Sequence, residues 1–160
     1  MMFPTVRGTA TNPGFQEGMF GEVDDVIAAG EYLRSLPGVD PERVYLGGHS
    51  TGGTLVLLVA ESTDLFRAVF SFGPVGELAD YGGRTWSFDA EDPREWFLRS
   101  PLHFLGSITT PTFVFEGENG NIEDLVKLEA ANENRRVRLI ALKGADHFEP
   151  LTPINRLLAE

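Results

Sequence analysis

The stretch Leu46-Gly47-Gly48-His49-Ser50-Thr51-Gly52-Gly53-Thr54 constrains this chain more than any other. Ahead of it, Arg43-Val44-Tyr45-Leu46 is a short run of β-branched and aromatic character; behind it, residues 55–60 are apolar with no helix breaker. A strand, a tight glycine turn and a helix therefore follow one another, with Ser50 at the apex. A residue at such an apex is held in a strained backbone conformation. Side chains two positions to either side would collide, so Gly48 and Gly52 are both expected to be obligatory glycines. The helix that leaves the turn points its first amides at Ser50.

The rest of the chain repeats this alternation. A short strand is expected at 2–6, then a polar, glycine-rich loop at 9–21 and a helix at 22–36 with acidic Glu22, Asp24 and Asp25 in its first turn. Pro37-Gly38 stops that helix, and Asp40-Pro41 turns the chain into the strand 43–46. Further strands are expected at 65–72, at 112–115 and at 140–142 preceded by Val137, with a helix at 122–132 and another at 152–159 that carries Pro153 in its first turn. The strands are continuous apolar runs, which points to an α/β fold with a mostly parallel sheet and helices on both faces. Residues 75–106 break the pattern. They are rich in Gly, Trp and charge and read as an insertion over the strand ends within one domain spanning 1–160, with a helix at 93–99. Trp86, Phe88, Trp96 and Phe97 within it suggest an apolar or aromatic specificity pocket.

Composition removes several function classes. The chain has 160 residues, 42% of them hydrophobic, which suffices for one real core. It has no cysteine, so disulfides and thiolate metal sites are absent, and no His/Asp/Glu cluster has ligand spacing; no cofactor is called for. The net charge of −11 is spread along the chain and argues against nucleic acid or an anionic membrane as partner. No apolar run is long enough to span a bilayer and the N-terminus lacks a signal pattern, so a cytoplasmic location is the default expectation.

The chemistry implied by the glycine turn is nucleophilic. Gly48-His49-Ser50-Thr51-Gly52 fits the G-x-S-x-G nucleophile elbow in its required strand–turn–helix context. A serine hydroxyl needs an adjacent base. Of the three histidines, His49 neighbours Ser50 but should point away from it, and His103 lies in the insertion. His147, in Gly144-Ala145-Asp146-His147-Phe148, follows the last strand on the sheet edge that Ser50 shares, and is the expected base. Helix-terminal amides, that of Thr51 first, are placed to stabilise an oxyanion. A carboxylate that fixes the imidazole should follow the strand 112–115.

Arg7-Gly8, Gly21-Glu22-Val23-Asp24-Asp25, Val39-Asp40-Pro41-Glu42-Arg43-Val44, the elbow with Gly53, Arg99-Ser100-Pro101 and Asp146-His147-Phe148 together resemble the catalytic domain of prolyl oligopeptidase-like serine hydrolases of the α/β-hydrolase type, in the right order over nearly the whole chain. The resemblance implies hydrolysis of peptide or ester bonds through an acyl-enzyme at Ser50, with His147 as general base. It also implies a start at the fourth strand of the fold, so an N-terminally truncated version of it. The family's usual acid position falls on Gly120. Glu118 is then the nearest carboxylate and the expected acid, with Asn119 or Asn121 as uncharged substitutes and Glu77 or Asp80 as alternatives; Glu123 and Asp124 read as first-turn helix residues.

The expected partner is a small-molecule or peptide substrate, with the exposed sheet edge open to a homo-oligomer or to residues 2–6 pairing directly with 43–46. Esterase and thioesterase activities use the same residues. The competing reading is a truncated, non-catalytic hydrolase-like protein that binds a ligand or partner chain. A nucleotide-binding domain is disfavoured, because the glycine turn matches neither phosphate-binding spacing.

Overall fold

The computed structural model describes residues 1–83, 85–152 and 154. Helix α1 (Gly21–Ser35) leads through a 3-10 turn, Pro41–Arg43, to strand β1 (Leu46–His49) and helix α2 (Thr51–Ser62). Strand β2 (Val69–Phe72) is followed by a long excursion that holds the short helix α3 (Pro93–Leu98) and three 3-10 turns. Strand β3 (Thr112–Gly117), helix α4 (Ile122–Ala131) and strand β4 (Val137–Leu142) complete the order. The four strands form one sheet in sequence order, all parallel.

Alternation along the strands sorts two apolar layers. Val69, Val114 and Val137 face Val56, Leu57 and Val59 of α2, Val23 and Val26 of α1, and Leu125 and Leu128 of α4. Phe70, Phe72 and Phe115 face the other way, with Leu151 and Ile154 packed over them. The register sets Phe70 opposite Phe113 and Phe72 opposite Phe115, and each pair stacks, at 5.5 and 5.3 Å between ring centres. Such cross-strand aromatic pairs fix the alignment of β2 with β3. The described helices α1, α2 and α4 thus gather on one face of the sheet, and the 151–154 stretch meets the other.

Arg7 ties the N-terminal loop to this frame. Its guanidinium bonds Asp25 through Nε (3.0 Å) and Nη2 (2.9 Å) and pairs with Glu17 through Nη1. The same contact holds the Asp25 carboxyl below its ordinary range.

Three expectations need correction. Residues 2–6 join no strand; Thr5 is engaged by Asn12 and Val6 by Thr9 in a local loop, and the outer edge of β1 carries no neighbour among the described residues. The strand expected at 43–46 lies at 46–49, because Pro41 and the Asp40 side chain, which accepts from the Glu42 amide at 3.0 Å, wind 41–43 into a 3-10 turn. The strand expected at 65–72 is ladder-paired only from Val69. The strand expected at 140–142 begins three residues earlier, at Val137, and the other expected helices and strands lie within two residues of their expected ends, while 152–159 falls largely outside the described residues. No helix among the described residues is long and apolar enough to cross a membrane.

Glu61, in the last turn of α2, has a buried Oε1 with no partner among the described residues, and burial pushes its pKa up to about 9. The folded chain holds this proton where the unfolded chain has released it, so stability falls as pH rises from the ordinary 4.5 towards 9. Glu61→Gln is expected to raise the melting temperature at pH 8 and leave it nearly unchanged at pH 4.5. Thermal unfolding followed by circular dichroism at the two pH values measures the difference.

Candidate active site

β1 delivers the chain to Ser50, whose φ of 57° and ψ of −119° lie outside the regions that L-residues ordinarily adopt. The turn is held from its neighbour: the Ser50 amide donates to the Phe72 carbonyl at 2.8 Å, and the Thr54 amide returns to the Ser50 carbonyl at 3.1 Å to start α2. A Cβ on Gly48 would run into the Gly52 carbonyl. Gly52 itself faces open space, so only one of the two glycines expected to be obligatory is required by contact. The second steric demand falls on Gly53, where a Cβ would lie 2.6 Å from the Phe72 carbonyl oxygen. α2 sits that close to β2, and Ser71 Oγ donates to the Gly53 carbonyl at 2.9 Å across the contact.

His147 reaches the same edge from the loop after β4. Its loop is shaped by Asp146, whose Oδ1 accepts from the amides of Phe148 (2.7 Å) and Glu149 (2.9 Å); those bonds hold the Asp146 carboxyl below its ordinary range. The imidazole Nδ1 lies 3.0 Å from Oε2 of Glu116, a residue near the end of β3 whose side chain is 1% exposed. Oε1 of Glu116 accepts from the Gly117 amide at 2.7 Å. With Nδ1 donating to the carboxylate, the lone pair falls on Nε2, the nitrogen a general base needs free.

Two glycines make room for this pair. A Cβ on Gly73, at φ +58°, would lie 2.6 Å from His147 Nδ1 and 3.0 Å from Glu116 Oε2. A Cβ on Gly120 would run into Glu116 Oε1. His49 completes the grouping. Its ring packs 4.5 Å from the His147 ring, and its Nε2 lies 3.1 Å from the His147 carbonyl oxygen, where it donates. The residue beside Ser50 therefore grips the residue that carries the expected base.

Residues 20–120 match the prolyl oligopeptidase family, well over half of the chain. The chain belongs to the prolyl oligopeptidase family. An uncharacterised peptidase of Bacillus subtilis, YuxL, is 25% identical over 147 residues, which cover 79% of this chain and 22% of that protein. The chain therefore spans about a fifth of the curated relative it matches. Among solved structures, a puromycin-hydrolysing peptidase of Mycobacterium tuberculosis superposes with a TM-score of 0.69 at 22% identity, over 82% of this chain and 22% of that one. The Pyrococcus furiosus esterase Pf2001 does so with a TM-score of 0.71 at 19% identity, over 95% and 64%. These likenesses show the α/β-hydrolase fold.

Within this prolyl oligopeptidase-family chain, the expected acid is not where the imidazole is. Glu118 accepts from the Gly144 amide at 2.9 Å, and Asn119 Nδ2 donates to the Gly144 carbonyl at 3.0 Å, so both tie the two loops together instead of meeting His147. The physical reason is position: Glu118 lies past the end of β3, whereas Glu116 is still in the ladder and directed at the ring. Asn121 precedes α4 and makes no side-chain cap. Glu77 pairs with His103 at 3.1 Å, and Asp80 with Lys127 at 2.7 Å. Glu123 and Asp124 stand in the first turn of α4 as expected. His103 stacks on Phe97 at 4.4 Å, remote in the chain from the elbow. One signal for Glu116 was present in the sequence: it directly extends the apolar run Phe113-Val114-Phe115, and a strand longer by one residue would carry it into the sheet, where a buried carboxylate needs a partner.

Gly48→Ala should cost about 2 kcal/mol or more through overpacking against Gly52, whereas Gly52→Ala should stay within about 0.5 kcal/mol of the parent. Urea unfolding of the two variants makes the comparison.

Proposed function

We propose that this chain is a serine hydrolase acting on peptide or ester bonds, with Ser50 as nucleophile, His147 as general base and Glu116 as the acid of the triad. The observation that carries the reading is the buried Glu116 carboxylate bonded to His147 Nδ1, with the His147 ring packed on His49, the residue next to the strained Ser50. His147 Nε2 takes the Ser50 Oγ proton as the oxygen attacks the substrate carbonyl. The imidazolium so formed is stabilised by Glu116, and it returns the proton to the leaving amine or alcohol as the tetrahedral intermediate collapses to the acyl-enzyme. Water, deprotonated by the same nitrogen, then releases the acid. The Thr51 amide, in the first turn of α2, donates to the developing oxyanion.

The peptidase and esterase among the related proteins support acyl transfer to water from an amide or an ester. Residues 1–160 act as one domain in this reading, with 75–106 as an excursion beside the site. The open outer edge of β1 supports pairing with a further strand, from a second copy or from another segment.

A fluorophosphonate probe should leave a mass adduct on Ser50 that disappears in Ser50→Ala and His147→Ala. Glu116→Gln should lower kcat by about a thousand- to ten-thousand-fold with little change in KM, because an amide cannot stabilise the imidazolium. Glu118→Gln should stay within about threefold of the parent, since its oxygen can still accept from Gly144. Full labelling and turnover in Glu116→Gln would remove Glu116 from the triad. A folded chain that takes no label would favour the non-catalytic, ligand-binding reading.

A further inference from the structure

A cavity of about 330 Å³ opens beside the elbow, walled by Thr51, Gly52 and Leu55 of α2, by Met19 and Glu22, and by Trp86 of the excursion. Most of this wall is apolar or neutral. Among the described residues Glu22 is the exception, and it is 6% exposed. Its Oε1 accepts from the Glu17 amide at 2.7 Å, while its Oε2 is buried with no partner among the described residues. A buried carboxylate oxygen left bare costs more than almost any other single defect in a fold.

The nearby cations among the described residues are already engaged. Arg7 is bonded by Asp25 and Glu17. Arg99 pairs with Glu95 and donates to the Glu17 carbonyl. Among the described residues, the chain thus supplies a carboxylate wall without a counter-charge, in a cavity that begins one residue after Ser50.

Resting on the reading of Ser50 as nucleophile, we propose that this cavity receives the acyl side of the substrate and selects a cationic amine carried on an apolar stem, with Glu22 Oε2 as its acceptor. The stem lies along Met19, Leu55 and the indole of Trp86, and the ammonium completes the hydrogen bonding that Glu22 lacks. Amides and esters of lysine-like or ω-amino acids fit this description. Neutral acyl groups of the same length fill the space but leave the carboxylate bare, and an isosteric site of this kind discriminates against them.

The test uses two para-nitrophenyl esters of equal length, ω-aminohexanoate and heptanoate, which differ only in a terminal ammonium against a methyl. The unaltered protein should show a kcat/KM ratio of about tenfold or more in favour of the amine, the equivalent of one charge-assisted hydrogen bond. Glu22→Gln keeps an oxygen for the Glu17 amide, and its melting temperature reports whether it folds; in it the ratio should fall to about threefold or less. Hydrolysis of both esters at similar rates, or a preference that survives Glu22→Gln, would overturn the assignment and leave the hydrolase reading standing. Hydrolysis of neither ester, with no adduct at Ser50, would count against the hydrolase reading itself. The cavity is then judged by binding alone, with n-hexylammonium titrated into Ser50→Ala and followed by tryptophan fluorescence. Saturable binding that is lost in the Ser50→Ala/Glu22→Gln protein sustains Glu22 as the cation acceptor, and no binding rejects it.

Discussion

The Phe72 carbonyl is the fixed point around which the candidate site is assembled. It accepts the Ser50 amide at 2.8 Å and stands where a Cβ on Gly53 would otherwise go. One oxygen therefore anchors the strained apex and sets how near α2 can approach the sheet. Its neighbours extend the role: Ser71 bonds the Gly53 carbonyl from one side, and Gly73, at positive φ, leaves the space into which the His147 ring enters. β2 contributes no candidate reacting group, yet its last residues position the serine, the helix and the histidine together. Strain of a few kcal/mol at Ser50 is tolerable only because these contacts over-determine it.

The glycines near Glu116 show how the chain accommodates a carboxylate that meets His147 from within the strand. A loop residue at position 120 would be the expected source of the acid, and glycine stands there instead. Its missing Cβ is the volume that Glu116 Oε1 occupies. The longer glutamate side chain, starting from within the strand, spans the distance that a shorter acid on the loop would not need to cover. The loop residues left behind, Glu118 and Asn119, bond Gly144 and so brace the loop that carries His147.

Much of this was legible in the sequence, and the rest failed for identifiable reasons. The elbow was readable because strand, glycine turn and helix leave a local signature at Gly48, Ser50 and the apolar run after them. β3, α4 and β4 followed from unbroken apolar runs and first-turn acids. Residues 2–6 misled because apolar and β-prone residues mark a strand only if a partner edge lies beside them, which is a tertiary fact. Gly52 looked obligatory by analogy of spacing, while the contact that matters is between Gly53 and a strand some twenty residues on. Glu116 was passed over because the strand was expected to end at Phe115, whereas the ladder runs on to Gly117, and the histidine that explains Glu116 lies 31 residues away.

Placing the carboxylate inside the ladder changes how the site can fail. β3 is an interior strand, hydrogen-bonded to β2 on one side and β4 on the other, and Glu116 stands in register with Ala141. An acid on a surface loop can drift away through local opening while the rest of the molecule stays folded. Glu116 is held against that route by its pairing with β4, so the contact opens from the other side alone, by movement of the loop that carries His147. What keeps the imidazole on its partner is therefore the bracing of that loop, by Glu118 and Asn119 on Gly144 and by His49 on the His147 carbonyl.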